Sequence, residues 1–121
     1  MGYSKEDRDE HIVRVGRVAD LLSRNGVVTL VPVVSPYRAA RDEVRSFHGD
    51  RFVEVHVAAP AEVCQDRDVK GLYAKAKAGE ITGMTGYDDP YEPPLEPEVV
   101  IDTHTQCLEE SVETLWQSLQ A

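Results

Sequence analysis

VVTLVPVVSPYR, residues Val27–Arg38, is the stretch on which the fold of this chain turns. Apolar and β-branched residues fill both alternating sets of Val27–Val34, so neither face of an extended segment there is polar. A strand apolar on both faces is the mark of a parallel sheet covered on both sides. Pro32 interrupts it and points to a bend or an exposed strand end. Ser35-Pro36 stops the strand, and a helix is expected from about Tyr37 to Phe47.

Upstream, Ser4-Lys5-Glu6-Asp7 resembles a capping box with acids in the first turn. Ile12, Val15, Val18, Ala19 and Leu22 then recur at helical steps, which predicts an amphipathic helix to about Arg24, closed by Asn25-Gly26. Downstream, Phe52–Val57 reads as a strand, and Pro60 suits the first turn of a helix through Val63 and Cys64. Val99-Val100-Ile101 is a further short strand. Gln106–Leu119 is a closing helix with Leu108, Val112, Leu115 and Leu119 on one face. Helix, strand, helix, strand, helix, long connection, strand, helix is the order of an α/β sandwich on a parallel sheet. The length of 121 residues suits one domain, 1–121, with a single core.

The long connection, Asp66–Pro94, carries Lys70, Lys75 and Lys77 on or beside a short helix, Gly71–Ala78, then Gly79, Gly83, Gly86 and Pro90, Pro93, Pro94. Connections of this length are usually lids, binding loops or disorder, and Leu72, Tyr73, Ile81, Met84, Tyr87 and Tyr91 give it groups to dock with. A lid over about 66–97 that brings lysines to an anion is expected.

Composition excludes several classes. A net charge of −9 disfavours a nucleic-acid backbone as partner, although small dense anion sites remain compatible with it. No apolar run approaches the ~20 residues of a membrane span. Two cysteines, Cys64 and Cys107, with no C-x-x-C, predict no disulfide framework and a reducing cytoplasm.

In parallel sheets ligands bind beyond the carboxyl ends of strands, here Val34-Ser35-Pro36-Tyr37, Ala58-Ala59-Pro60 and Asp102-Thr103-His104. Arg38, Arg41 and Arg45 share one helical face beside the first of these, either as an anion site or as a solvated face paired with Asp42, Glu43 and Asp50. Ser35 is either a nucleophile or phosphoryl ligand, or a turn residue. His104 and Cys107 lack a second ligand pair, so no metal site is expected. No glycine precedes a lysine, so G-x-x-x-x-G-K-[ST] does not occur in these residues.

Gly2-Tyr3-Ser4 with Glu6-Asp7-Arg8, then Ile12, Arg14 and Val18-Ala19, resembles the G-F-S-x-E-D-R…N-I-R-R-I-x-E-V-A segment of adenylylsulfate (APS) kinases. Ser35-Pro36-Tyr37-Arg38 with Arg41-Asp42 is similar to their I-S-P-Y-R-x-x-R-D. Phe52–Val57, Glu62-Val63-Cys64, Arg67-Asp68 and Lys70-Gly71-Leu72-Tyr73 are similar to F-I-E-V…E-V-C-x-x-R-D-P-K-G-L-Y. Ala78-Gly79-Glu80-Ile81, Thr85-Gly86 and Asp88–Pro94 follow A-G-x-I-K-x-F-T-G-I-D-x-P-Y-E-x-P, so the resemblance runs collinearly over the chain.

The resemblance implies a P-loop kinase-like three-layer α/β sandwich with a parallel sheet, N-terminally truncated. It also implies transfer of the ATP γ-phosphoryl to the 3′-hydroxyl of APS, giving PAPS in sulfate assimilation, with ATP and Mg²⁺ as cofactors. Tyr3, Arg8, His11, Val34, Ser35 and Met84 would line the APS site. Arg67 and Thr103 would meet ATP, and Lys70 with the lid would close over both. Ser35 is the position treated in parts of the family as a phosphoserine intermediate, although direct in-line transfer fits without it. The phosphate-binding loop and the D-G-D-x-x-R segment have no counterpart in these residues. A shortened polypeptide, a split gene or a misassigned start would each produce that, and the chain alone is expected not to turn over ATP. Association as a homodimer or with a complete kinase chain is the matching expectation. His11, Val13, Thr82 and Met84 depart from the family pattern and leave open a different nucleotide or sugar acceptor, or a non-catalytic nucleotide-binding module.

Overall fold

The computed structural model describes residues 2, 4–84 and 90–120. They divide into two compact units, Met1–Phe52 with Pro90–Pro93, and Val53–Asp89 with Pro94–Ala121.

The first unit is a helix pair. Helix α1, Lys5–Arg24, starts where the Ser4 hydroxyl accepts the Asp7 amide at 3.1 Å, with Glu6 and Asp7 in the first turn against the positive helix end. Asn25 closes it: its backbone N–H donates to Leu22 O at 3.0 Å and its side-chain amide to Leu21 O at 2.7 Å, while the Gly26 N–H donates to Ser23 O at 3.1 Å. Helix α2, Arg38–His48, ends on Gly49 at φ 62°, and a 3₁₀ turn, Gly49–Arg51, follows. The helices cross at Gly16, where an added Cβ would stand 2.7 and 2.8 Å from the two Val44 methyls. Ala19, Ala40 and Val44 are buried around this crossing. His48 Nε2 meets the Gly16 carbonyl at 2.9 Å, and Arg51 donates to Asp20 at 2.8 Å and also to Ser23.

The second unit holds the sheet. Strands β1, Val55–Ala58, and β2, Val99–Asp102, pair in parallel with Val55 opposite Val99 and Ala58 opposite Asp102. Helix α5, Leu108–Leu119, packs on β2 and opens with a box in which the Cys107 amide donates to Glu110 at 3.3 Å. Helices α3, Ala61–Arg67, and α4, Leu72–Lys77, fill the crossover between the strands. The α/β class with a parallel sheet is therefore present.

One expectation fails. Val27–Val34 forms no strand among the described residues. Val28 and Val34 are 72% and 67% exposed, and a groove of about 470 Å³ separates Leu30 and Val31 from Val15, Val18 and Leu22 of α1. The alternation sets an extended preference, but a strand exists only where a neighbouring backbone takes up its N–H and C=O groups. The strand read over Phe52–Val57 is shorter and displaced, because pairing begins only after Glu54, whose carbonyl accepts from Val99 at 3.1 Å and whose amide donates to Glu98. Pro60 is the N-cap of α3 and not its first helical residue.

Candidate functional site

In the first unit the site grows from the Ser35 turn. Ser35 is buried and sits at φ 43°, a left-handed backbone that a residue with a Cβ adopts only when its surroundings impose it. Its hydroxyl is buried with no hydrogen-bond partner among the described residues. Pro36 follows, and its carbonyl accepts the Glu92 amide at 2.8 Å. Arg41, one turn into α2 and buried, donates to Ser35 O and to Glu92 O, each at 2.5 Å. Arg38 donates from its amide to the Glu92 carboxylate at 2.9 Å and from Nε to Pro93 O at 2.8 Å.

Arg38 and Arg41 of the arginine stripe thus clamp protein carbonyls of the Ser35 turn and the Glu92–Pro93 segment. Arg45 lies over the Phe52 ring at 4.7 Å. A buried guanidinium needs acceptors, and backbone oxygens supply them to Arg41. Arg8 and His11 stand three residues apart on α1, both half-buried, and Val34 is exposed just before the turn. Tyr3 lies outside the described residues.

In the second unit the site lies at the carboxyl ends of β1 and β2. Arg67, in the last turn of α3, donates to the Thr103 hydroxyl at 3.2 Å and to its carbonyl at 2.7 Å. Thr103 in turn donates from its amide and its hydroxyl to Ala58 O, at 2.9 and 3.2 Å. The two residues expected on the ATP side are therefore in contact, and the exposed guanidinium plane is held still.

Lys70, exposed between α3 and α4, has no hydrogen bond or ion pair among the described residues. Beside it Asp68, at φ 28°, accepts the Tyr73 and Ala74 amides at 2.9 and 3.1 Å and so starts α4. Burial, with Cys64 and Asp68 nearby, pushes the Tyr73 hydroxyl up from its ordinary value. Met84 is half-buried, and residues 85–89 of the expected lid lie outside the described set. No three His, Cys, Asp or Glu side chains converge among the described residues, so no Mg²⁺ ligand set is assigned to them.

Sequence reasoning missed Glu92. Its partners Pro36, Arg38 and Arg41 lie more than fifty residues away, and no local pattern carries such a pairing. It also missed Asp68 as the start of α4, although an Asp ahead of a short helix is a familiar cap signal.

A crossover through helices between parallel strands, with polar groups gathered at the strand ends, defines an α/β protein of the kind whose ligand sites lie at those ends. The sequence model for the family "Adenylylsulphate kinase" matches residues 1–102. The chain is 61% identical over 120 residues to an adenylyl-sulfate kinase of Rippkaea orientalis, covering 99% of this chain and 66% of that protein. It is 59% identical over 119 residues to one of Microcystis aeruginosa, covering 98% of this chain and 65% of that protein. An APS kinase of Mycobacterium tuberculosis, solved in complex with AMPPNP and APS, superimposes with a TM-score of 0.90. That match has 40% identity and covers all of this chain and 71% of that one. The chain belongs to the adenylylsulphate kinase family and has its P-loop kinase-like α/β fold. It spans about two thirds of the length of these relatives.

Proposed function

We propose that this chain is the acceptor-binding and lid-bearing part of an adenylyl-sulfate kinase, which moves the ATP γ-phosphoryl onto the 3′-hydroxyl of APS to give PAPS. The observation that carries the reading is coverage of this whole chain, at 40% identity, by a kinase seen with AMPPNP and APS. Phosphoryl transfer is mostly positioning and charge neutralisation, so the chain's residues act by holding the reactants. Arg8 would bind the phosphosulfate end of APS, with Tyr3, His11 and Met84 around the nucleoside and the Val34-Ser35 backbone lining the pocket. Arg67, steadied by Thr103, offers a flat cation for the ATP base. Lys70 and the segment 66–97 would cover the reactants and exclude water.

Bound Mg²⁺ would neutralise charge on the ATP phosphates. Transfer is direct and in line. A serine nucleophile needs a base in hydrogen-bond reach, and the Ser35 hydroxyl is buried without a partner among the described residues. In the chain joined to a family-type segment carrying the G-x-x-x-x-G-K-[ST] loop, Ser35→Ala therefore keeps turnover within about ten-fold of the unsubstituted joined protein, whereas an obligatory phosphoserine would abolish it.

Without a G-x-x-x-x-G-K-[ST] loop in these 121 residues, most of the charge stabilisation of the transferred group is absent. A coupled assay with ATP, Mg²⁺ and APS tests this on the chain as it stands and on the chain joined to a family-type segment carrying that loop. PAPS from the joined protein alone supports the reading. No PAPS from either would move a different acceptor, or a binding role, to the front.

A further inference from the structure

We infer that Arg41 is a positioning residue for the acceptor pocket, holding Ser35 in its left-handed conformation and tying that turn to the Glu92–Pro93 segment. The inference rests on the reading that the Val34-Ser35 backbone lines the pocket for APS. Its geometry is independent of that reading. The fork of Arg41 reaches Ser35 O and Glu92 O, each at 2.5 Å. Three further bonds join the same segments: Glu92 N to Pro36 O at 2.8 Å, Arg38 N to the Glu92 carboxylate at 2.9 Å, and Arg38 Nε to Pro93 O at 2.8 Å.

Each bond serves a group that needs one. The Arg38 amide is an orphan donor at the start of α2, where a carboxylate also meets the positive helix end. The Arg41 guanidinium is buried, where a charged donor needs acceptors, and the two carbonyls supply them. Ser35 at φ 43° carries a Cβ penalty that something must oppose, and the Arg41 bond to its own carbonyl is the direct restraint. A planar fork spans two carbonyls in fixed directions, which a lysine ammonium does not reproduce. Loss of the fork would free the Ser35 turn and loosen the 90–93 segment together.

The test uses the 121-residue chain with Arg41→Lys, Ser35→Gly and the two combined, read by amide hydrogen exchange and by equilibrium binding of APS. Arg41→Lys is expected to speed exchange at the Glu92 amide and to weaken APS binding about ten-fold each, the size of one charge-assisted hydrogen bond. Glycine takes a positive φ without the Cβ penalty, so Ser35→Gly should remove most of the cost of Arg41→Lys on APS affinity. A merely structural arginine would show the same cost beside either residue, and that result overturns the inference. So does unchanged exchange at Glu92. Should Arg41→Lys fail to fold, Glu92→Gln keeps every backbone bond and is expected to speed exchange at the Arg38 amide and weaken APS binding several-fold; no change in either overturns the inference. If the parent chain binds no APS, the proposed function falls, while exchange at Arg38 and Glu92 still decides the clamp.

Discussion

Gly16 shows how much a single residue decides. The α1–α2 crossing is set by the absence of a side chain there, since a Cβ would stand 2.7 Å from one Val44 methyl and 3.3 Å from the Phe47 ring edge. Val44 is β-branched and cannot swing aside within a helix. Gly16→Ala should gain the ~1 kcal/mol of helix propensity yet lose about 1–3 kcal/mol to overpacking, a net fall in the urea midpoint. Asp20 contributes to the acid limit of the same unit. Its hydrogen bond from Arg51, with Arg24 and His48 nearby, holds its carboxyl below the ordinary value. A carboxyl lowered on folding stabilises fully above its unfolded pKa and loses that contribution as pH falls through the folded value. Asp20→Asn should therefore lower stability at neutral pH and flatten the acid limb of a denaturation–pH profile. At this scale the Ser4 cap was legible, because its signal is local. The Arg38–Arg41 clamp was not: periodicity shows which residues share a face and is silent on what meets it.

Elements were legible in proportion to how much of their stability is their own. The span of α1 follows from cap, periodicity and stop signals, and the structure gives Lys5–Arg24. A strand has no such independence, and Val27–Val34 reads as one while no strand among the described residues pairs with it. The short helix α4 falls between these cases. Six residues cannot sustain a helix alone, so its existence depends on Asp68, which accepts the Tyr73 and Ala74 amides. Asp68→Ala should cost about 1 kcal/mol and speed amide exchange through 72–77, with Asp68→Asn intermediate. Equal exchange in all three proteins would mean that packing, not the carboxylate, holds α4. The neighbouring pair Arg67 and Thr103 was placed on one side of the site by family resemblance. Their mutual hydrogen bonds became visible only from the strand ends that carry them.

For the whole molecule, the chain carries nine net negative charges while its proposed ligands are polyanions. Binding therefore depends on local cations, and the two nucleotides should not fare alike. The residues assigned to APS lie within these 121, whereas a glycine-rich phosphate cradle for ATP does not. Any ligand that binds only the folded chain stabilises it by RT ln(1 + [L]/Kd). APS at one hundred times its Kd should thus add about 2.7 kcal/mol and raise the melting midpoint by roughly 10 °C. ATP at the same concentration should raise it far less, since Arg67, Thr103 and Lys70 would have to hold its base and phosphates without that cradle. Screening by added salt should shrink the APS effect, as expected for exposed ion contacts. Calorimetric melts with APS, ATP, both and neither would read this directly. Equal shifts from ATP and APS would sink the assignment of the acceptor side to this chain, because a site that does not distinguish them is reading adenine nucleotides in general.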